Sequence, residues 1–496
     1  MSDVLTLLSE WMPRQRWYVG GSTTPELELI GSYELEPVES DAALRLITVA
    51  LVRDHSRKPA PLYQVPLVIR DVDAQVDALG FIGPIREHGD RAALVDGTHD
   101  QAFAHALIRL IADEKEASGA VGADGVPRVR VYGQPMPGAK AGRFVTSRVL
   151  SGEQSNTSII CELQDENGDA AVPLIVKLFR TLHAGDNPDV TLQTALAATG
   201  SLHVPPTFGQ VSAVWPDADG KQVAGHLAFA QEFFVGVEDA WRVALRAAEG
   251  GEDFTPLARA LGRATAEVHA TLRRVMPTVE PEQADIDLAT QQMWRRYELA
   301  AEAVPELREY ATEVERVYAL ASDAKWPTLQ RIHGDFHLGQ VLAVPDRGWV
   351  LLDFEGEPLR PLESRNAPDV PARDVAGLLR SFDYVAGSLT LQAGHEVARD
   401  WADAAREAFL EGYVDEVVAE RDTSGTPGRA IREEDERRVL EAYELDKAIY
   451  ETLYESEFRP TWLPIPLAAV RRILGAESPE AQDADRAEDE SPEGEA

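Results

Sequence analysis

Three side chains stand at a spacing that suits phosphoryl transfer. They lie in Arg331-Ile332-His333-Gly334-Asp335-Phe336-His337-Leu338-Gly339-Gln340 and in Leu351-Leu352-Asp353-Phe354-Glu355-Gly356-Glu357. That reaction needs a carboxylate beside the attacking hydroxyl and hard oxygen ligands for Mg²⁺, which neutralises charge on the phosphate oxygens. Asp335 would accept the hydroxyl proton. Gln340 would lend its carbonyl oxygen to the metal while its amide nitrogen donates elsewhere, and Asp353 would add the formal charge that holds the ion. His333 would orient the loop. The apolar run from Trp349 to Leu352 predicts a strand that delivers Asp353.

A loop aspartate, an amide five positions on and a second aspartate after an apolar strand follow the order of protein-kinase-like catalytic cores. Gln340 replaces the usual Asn and lengthens the metal arm by a methylene. Glu355 replaces the usual Gly, and two readings stand for it: a third contact to metal or sugar, or a polar residue satisfied within a turn. Glu357 and Glu363 follow in the same loop. His337 likewise has two readings, a substrate contact or a support for the turn.

Such a base requires a nucleotide-binding unit upstream, with strands, a phosphate-covering turn and a lysine. Arg143 to Leu150 predicts one strand, Ile159 to Leu163 a second and Leu174 to Phe179 a third, with a hairpin turn at Asp165 to Asp169. Lys177 on the third strand would reach the α- and β-phosphates. The turn from Ser151 to Ser158 offers only Gly152 for close backbone approach. Phosphate contacts would then fall to Ser155, Asn156, Thr157 and Ser158 as well as to backbone N–H groups. An ordinary polar turn has the same composition.

Several segments together resemble actinobacterial maltokinases: Glu153 to Ser158, Val176 to Arg180, Asn187-Pro188-Asp189, Gln231-Glu232-Phe233, His333 to Leu342, Asp353 to Pro358, Arg373 to Gly377, and Glu444 to Ala448 through Trp462 to Pro466. Trp11 to Tyr18 and Leu62 to Leu67 are similar to that family's N-terminal cap. The resemblance implies an α+β fold, bilobal and protein-kinase-like (aminoglycoside-phosphotransferase-like), with an N-terminal α+β cap. It implies ATP-dependent phosphorylation of maltose at the anomeric hydroxyl, giving maltose 1-phosphate for α-glucan and glycogen synthesis, with ATP and Mg²⁺ as cofactors. It also implies that Gln231 and Phe233 belong to a hinge near the adenine.

The chain departs from the family pattern twice. After Asn187-Pro188-Asp189 the family carries a Glu facing the phosphate lysine, whereas this chain reads Val190-Thr191-Leu192-Gln193. Asp189, Asp186 or the nucleotide alone is left to hold Lys177, and a nucleotide-binding pseudokinase or a noncatalytic scaffold on the same fold is the competing class. Near the C-terminus the family's Tyr-Glu-Ala-Arg-Asn/His-Arg-Pro becomes Tyr454-Glu455-Ser456-Glu457-Phe458-Arg459-Pro460. A negative Glu457 in the site would favour a cationic aminosugar, as in related glucosamine kinases that make glucosamine 6-phosphate. A helix glutamate that faces solvent would leave maltose as the acceptor.

Aromatic rings stack on pyranoses, which makes Tyr443, Tyr450, Tyr454 and Trp462 candidates, with Glu451 and Glu455 beside them for sugar hydroxyls. The helical spacing of the three tyrosines equally describes a buried face.

The chain has 496 residues, 44% hydrophobic, enough for two or three cores. The expected division is a cap over 1–127, a nucleotide-binding lobe over 128–238, a helical catalytic and sugar-binding lobe over 239–476, and a disordered acidic tail over 477–496. A flexible joint is expected from Ala117 to Gly125. With 48 basic against 84 acidic residues the net charge is −36, which argues against nucleic acid and anionic membranes as partners. No apolar run reaches spanning length, and Met1-Ser2-Asp3 does not open a signal peptide, so a cytoplasmic protein is expected. The resemblance adds a small sugar and ATP as its partners, and a monomer is the expected state. The single cysteine, Cys161, falls on an expected strand as a core residue.

Overall fold

The computed structural model describes residues 2–19, 21, 23–74, 76–87, 90–119, 128–150, 155–357, 360–424 and 433–475. The expected disordered tail, the first half of the phosphate turn and most of the expected joint lie outside the described residues. The chain forms two compact units, one of Met1–Ala197 with Pro205–Val235 and one of Ala198–Val204 with Gly236–Ala496.

The first unit opens with helix α1 (Ser2–Trp11) and strands β1 (Leu27–Glu34), β2 (Leu44–Asp54), β3 (Leu62–Asp71), β4 (Phe81–Glu87) and β5 (Asp90–Asp96). These strands make an antiparallel sheet in the order β1-β2-β3-β5-β4. Helix α2 (Gln101–Ala112) follows, capped at its first turn by the Asp100 carboxylate, which accepts from Ala102 N–H. Strands β6 (Glu116–Ser118), β7 (Arg130–Pro135), β8 (Arg143–Val149), β9 (Asn156–Gln164), β10 (Leu174–Phe179), β11 (Thr181–Leu182), β12 (Thr207–Pro216) and β13 (Gln222–Glu232) complete the unit with helix α3 (Pro188–Ala198). All of these except β11 form a second antiparallel sheet, β6-β7-β12-β13-β10-β9-β8. Phe103, Leu107 and Leu110 of α2 share one buried cluster with Val131, Val176 and Phe229 of that sheet.

Strand β11 turns out of the second sheet and pairs with β3, Thr181 opposite Tyr63 and Leu182 opposite Leu62. The same edge of β3 pairs with β5 from Leu67 onward. Pro66 sits between the two partners. Gln64 N–H points to this edge, since it donates to Arg180 O, and so would the N–H that Pro66 lacks. A proline is tolerated inside this buried strand because it occupies the gap where one partner ends and the next begins.

Two local expectations are corrected. Glu116–Ser118 is a short edge strand where a joint was expected. Strand β9 starts at Asn156, three residues early, and this takes Asn156, Thr157 and Ser158 out of the turn and into the ladder with β10.

The second unit is mostly helical. It contains β14 (Glu238–Asp239), α4 (Ala240–Gly250), α5 (Thr255–Val275), α6 (Gln283–Ala303), α7 (Ala311–Ser322), β15 (Val341–Val344), β16 (Gly348–Leu351), α8 (Leu362–Asn366), α9 (Ala372–Ala393), α10 (Arg399–Ser424), α11 (Glu433–Phe458) and α12 (Pro464–Leu474). The three strands form a small sheet, β14-β15-β16. Pro305 ends α6 and opens a 3₁₀ turn, Pro305–Tyr310, before α7. Helices α5 and α10 approach backbone to backbone: a Cβ on Gly262 would lie 2.1 Å from Phe409 O, and one on Gly412 would lie 2.1 Å from Arg259 O. Helix α11 carries Val439, Tyr443, Leu445 and Ile449 into a core completed by Trp326 and Val470. Among the described residues no helix is long and apolar enough to cross a membrane.

Candidate active site

The loop before β15 is built around a buried carboxylate on α9. Asp374 accepts from the backbone N–H groups of His333 (2.7 Å) and Gly334 (2.8 Å) and faces His269 Nε2 at 3.0 Å. Burial alone would raise its pKa, but His269, His333 and the Gly334 N–H hold it below the usual carboxylate range. His269 is oriented in turn by Tyr413, whose hydroxyl lies 2.9 Å from Nδ1. One turn further along α9, Gly377 lets the loop sit on the helix, since a Cβ there would meet Phe336 O at 2.4 Å.

His333 is fixed at both ring nitrogens. Nε2 lies 2.7 Å from Leu352 O, and Nδ1 lies 3.4 Å from Asp335 N–H. Its ring packs on Phe336 and Phe354. Asp335 therefore emerges from a loop clamped by α9 behind and by the end of β16 beside it. His337 caps the short 3₁₀ turn Leu338–Gln340, its Nδ1 accepting from Gly339 N–H. Burial holds its pKa below the ordinary imidazole range, against the pull of Asp335.

Gln340 and Asp353 lie side by side, Gln340 Nε2 donating to Asp353 Oδ2 at 2.9 Å. Leu352 N–H donates to Gln340 O, which ties the two segments by backbone as well. Asp353 has φ of +64°, a left-handed conformation uncommon for a residue with a side chain and typical of functional turns. With Gln340 Nε2 turned to Asp353, the pair offers an amide carbonyl and a carboxylate, a hard-oxygen donor set that fits Mg²⁺. Glu355 is partly buried, and its carbonyl accepts from Arg365.

A cluster that the motif reading passed over stands next to Asp335. Lys447, on α11, lies 3.5 Å from Asp335 Oδ1 and 3.1 Å from Glu357 Oε1. Burial would raise the Glu357 pKa, yet Lys447, Arg373 and Arg296 bring it down to about 2. Burial would lower that of Lys447, and Glu357 and Asp335 drive it above the ordinary lysine range instead. Arg296 makes a bidentate pair with Asp446 (2.7 and 3.0 Å), and Arg373 Nε donates to Asp369 at 2.8 Å. The available signal was the Asp446-Lys447 step in the middle of a helix whose flanking residues are buried.

The first unit presents Lys177 on β10 with its Nζ 3.0 Å from Asp189 Oδ2. Asp189 is in the first turn of α3, where Asn187 Oδ1 accepts its backbone N–H as a cap. Gln193 steadies the other oxygen at 2.5 Å. In this chain, which lacks the glutamate of the family pattern, Asp189 is the carboxylate paired with Lys177. Thr157 is buried and its hydroxyl accepts from Arg180 Nε, while Ser158 is buried opposite Lys177 in the ladder. Ser155 and Asn156 stay nearer the surface. Gln231 closes β13 with a side-chain oxygen that has no partner among the described residues, and Phe233 N–H donates to Pro173 O just beyond.

The late sugar-site candidates separate. Glu455 is buried, with Oε1 accepting from Tyr384 OH and Arg459 and Oε2 from Arg459. It is occupied inside the fold. Trp462 stacks on Tyr384 and under the Arg459 guanidinium. Tyr454 is partly exposed between Tyr450 and Phe458. Glu457 is exposed and makes no ion pair among the described residues.

Residues 11–100 match the maltokinase N-terminal cap domain and residues 225–414 the phosphotransferase enzyme family. The chain is 28% identical over 351 residues to the glucosamine kinase of Mycolicibacterium smegmatis, covering 66% of this chain and 79% of that protein. It is 28% identical over 341 residues to the glucosamine kinase of Streptacidiphilus jiangxiensis, covering 65% and 72%. Among solved structures it is similar to a glucosamine kinase in complex with glucosamine, ADP and inorganic phosphate, with a TM-score of 0.61 and 23% identity over 91% of this chain and 96% of that one. A further crystal form of glucosamine kinase gives a TM-score of 0.64 at 22% identity, over 95% and 99%. These likenesses show a kinase-like α+β phosphotransferase fold with an added N-terminal cap.

Proposed function

We propose that this chain, an ATP-dependent carbohydrate kinase of the phosphotransferase enzyme family with a maltokinase-type cap, transfers the γ-phosphoryl group of ATP to the anomeric hydroxyl of maltose. The products are maltose 1-phosphate and ADP, which feed α-glucan and glycogen synthesis. The observation that carries the kinase reading is the clamped loop: Asp335 is projected from a backbone held by Asp374, five residues ahead of Gln340, whose side chain meets Asp353.

In this reading Asp335 takes the proton from the acceptor hydroxyl as the oxygen attacks phosphorus. His333 keeps the loop in shape through its two ring contacts. Lys177, aligned by Asp189, holds the α- and β-phosphates, with Ser155 and Asn156 beside the turn that covers them. Gln231 and Phe233 stand on the adenine side. Gln340 and Asp353 would hold Mg²⁺, which when bound neutralises charge on the phosphate oxygens.

We take the exposed Glu457 as a solvent-facing helix glutamate, which leaves maltose as the acceptor. The second reading, phosphorylation of glucosamine to glucosamine 6-phosphate, draws on the two curated relatives. ADP release with ATP and Mg²⁺ against maltose, glucose, glucosamine and an aminoglycoside tests both. Turnover on maltose that stops with EDTA is expected, and turnover on glucosamine alone would replace the first reading with the second.

A further inference from the structure

We propose that Lys447 sets the charge class of the acceptor: seated between Asp335 and Glu357, it admits neutral sugars and turns away sugars that carry an ammonium group. The proposal rests on the carbohydrate-kinase reading above and gives one residue a selective role within that site.

The argument starts from pairing. The hollow beside Asp335 is lined by three carboxylates, Asp335, Glu357 and Asp446, and by three cations, Lys447, Arg296 and Arg373. Asp446 is taken by Arg296 through two hydrogen bonds. Glu357 is taken by Lys447 at 3.1 Å, and the same Nζ stands 3.5 Å from Asp335. Glu451, one turn along α11, is held by Arg380 at 2.8 Å. An incoming ammonium group would find Asp446 and Glu451 held by arginines, Asp335 and Glu357 sharing Lys447, and a fixed positive charge already at the base.

Like charges brought together in a partly desolvated hollow repel strongly, and a built-in mismatch is how a site rejects a near-isosteric ligand. A neutral hydroxyl meets no such penalty. Lys447 has three N–H donors, of which one goes to Glu357 while Asp335 attracts the group by charge at 3.5 Å, so a hydroxyl oxygen is a suitable acceptor for a remaining N–H. The lysine is held in place by both carboxylates and by the face of Tyr450, 5.2 Å from Nζ to the ring centre. It is not a flexible side chain that can swing aside for a cation.

Glucose and glucosamine make the direct probe, since they differ at one position, a hydroxyl against an ammonium group. The expected result for the full chain is a kcat/KM for glucose at least about tenfold above that for glucosamine, with maltose higher still. Lys447→Met should narrow the glucose-to-glucosamine ratio about tenfold or more, and Lys447→Arg, which keeps the charge, should preserve it. A structural role would lower both sugars together and leave the ratio unmoved, which would overturn the proposal. If Lys447→Met does not fold, the Arg variant decides: a collapsed ratio overturns the proposal and a preserved one supports it. Wild-type turnover on glucosamine equal to or above that on glucose would overturn the role of Lys447 while leaving the kinase reading intact. No turnover on any sugar would overturn that reading, and this proposal with it.

Discussion

Asp374 and His333 meet at 2.7 Å, carboxylate to backbone nitrogen, and through this contact helix α9 fixes the loop that projects Asp335. The carboxylate is buried and charged, and His269 and the Gly334 N–H complete its partners. Asp374→Asn turns one acceptor oxygen into a donor that faces an N–H group. The variant should lose about a hundredfold in kcat with a smaller change in KM for ATP, and about 3 kcal/mol of stability, the usual cost of breaking a buried charged pair. Steady-state kinetics beside urea unfolding measure the two effects separately.

Lys177 and Asp189 form a pair whose members should fail together. Lys177→Met is expected to raise KM for ATP and lower kcat, and Asp189→Asn to do so less. The double variant should be little worse than Lys177→Met alone, because Asp189 acts by aligning the lysine. Additive losses in a double-mutant cycle would separate the two residues.

Gln64 ties the end of the lysine strand to the first sheet. Its Nε2 donates to Phe179 O and Leu227 O, and its Oε1 accepts from Tyr33 OH. Gln64→Leu keeps the volume and orphans two buried carbonyls and a hydroxyl, so a loss of about 3 kcal/mol in urea unfolding is expected.

Glu357 gives the protein an acid-sensitive contact. Its pKa is brought down to about 2 in the folded chain, from an ordinary value of 4.5. A depressed carboxylate stabilises the fold above its unfolded value and loses that contribution as pH falls toward the folded one. Glu357→Gln should therefore cost on the order of 3 kcal/mol at pH 7 and progressively less below about pH 4. Equal costs at pH 7 and pH 3 would contradict the assignment.

Cys161 is buried on β9 and its thiol is pushed up to about 12 by burial. Native protein should resist a thiol reagent over minutes at pH 7.5 and label at one site after denaturation.

The motif half of the site was legible because phosphoryl transfer fixes residue types at short spacing: Asp335, Gln340 and Asp353 are all within one loop, strand and turn. Strands β2 and β3 were readable from their β-branched runs, Ile47-Thr48-Val49 and Val68-Ile69. Strands β4 and β5 were not, since Gly83 and Pro84 interrupt one and charged Asp90 and Arg91 open the other. The phosphate turn was drawn too long because Asn156, Thr157 and Ser158 are turn-forming residues by type, and the ladder with β10 overrides that preference. Lys447, Arg296 and Arg373 converge from three helices far apart in sequence, and no local spacing announces such a meeting. Glu455 reads as a polar helix residue in the sequence; Arg459 stands at the i,i+4 spacing of a helix pair, and only the fold brings Tyr384 to it.

The measurement that bears most directly on the account is ADP release from the full chain with ATP, Mg²⁺ and maltose, for wild type and Asp335→Asn. The account predicts maltose-dependent turnover that falls at least about a thousandfold in the variant while nucleotide binding persists. Turnover that survives Asp335→Asn, or the absence of maltose-dependent turnover in the wild type, would contradict it.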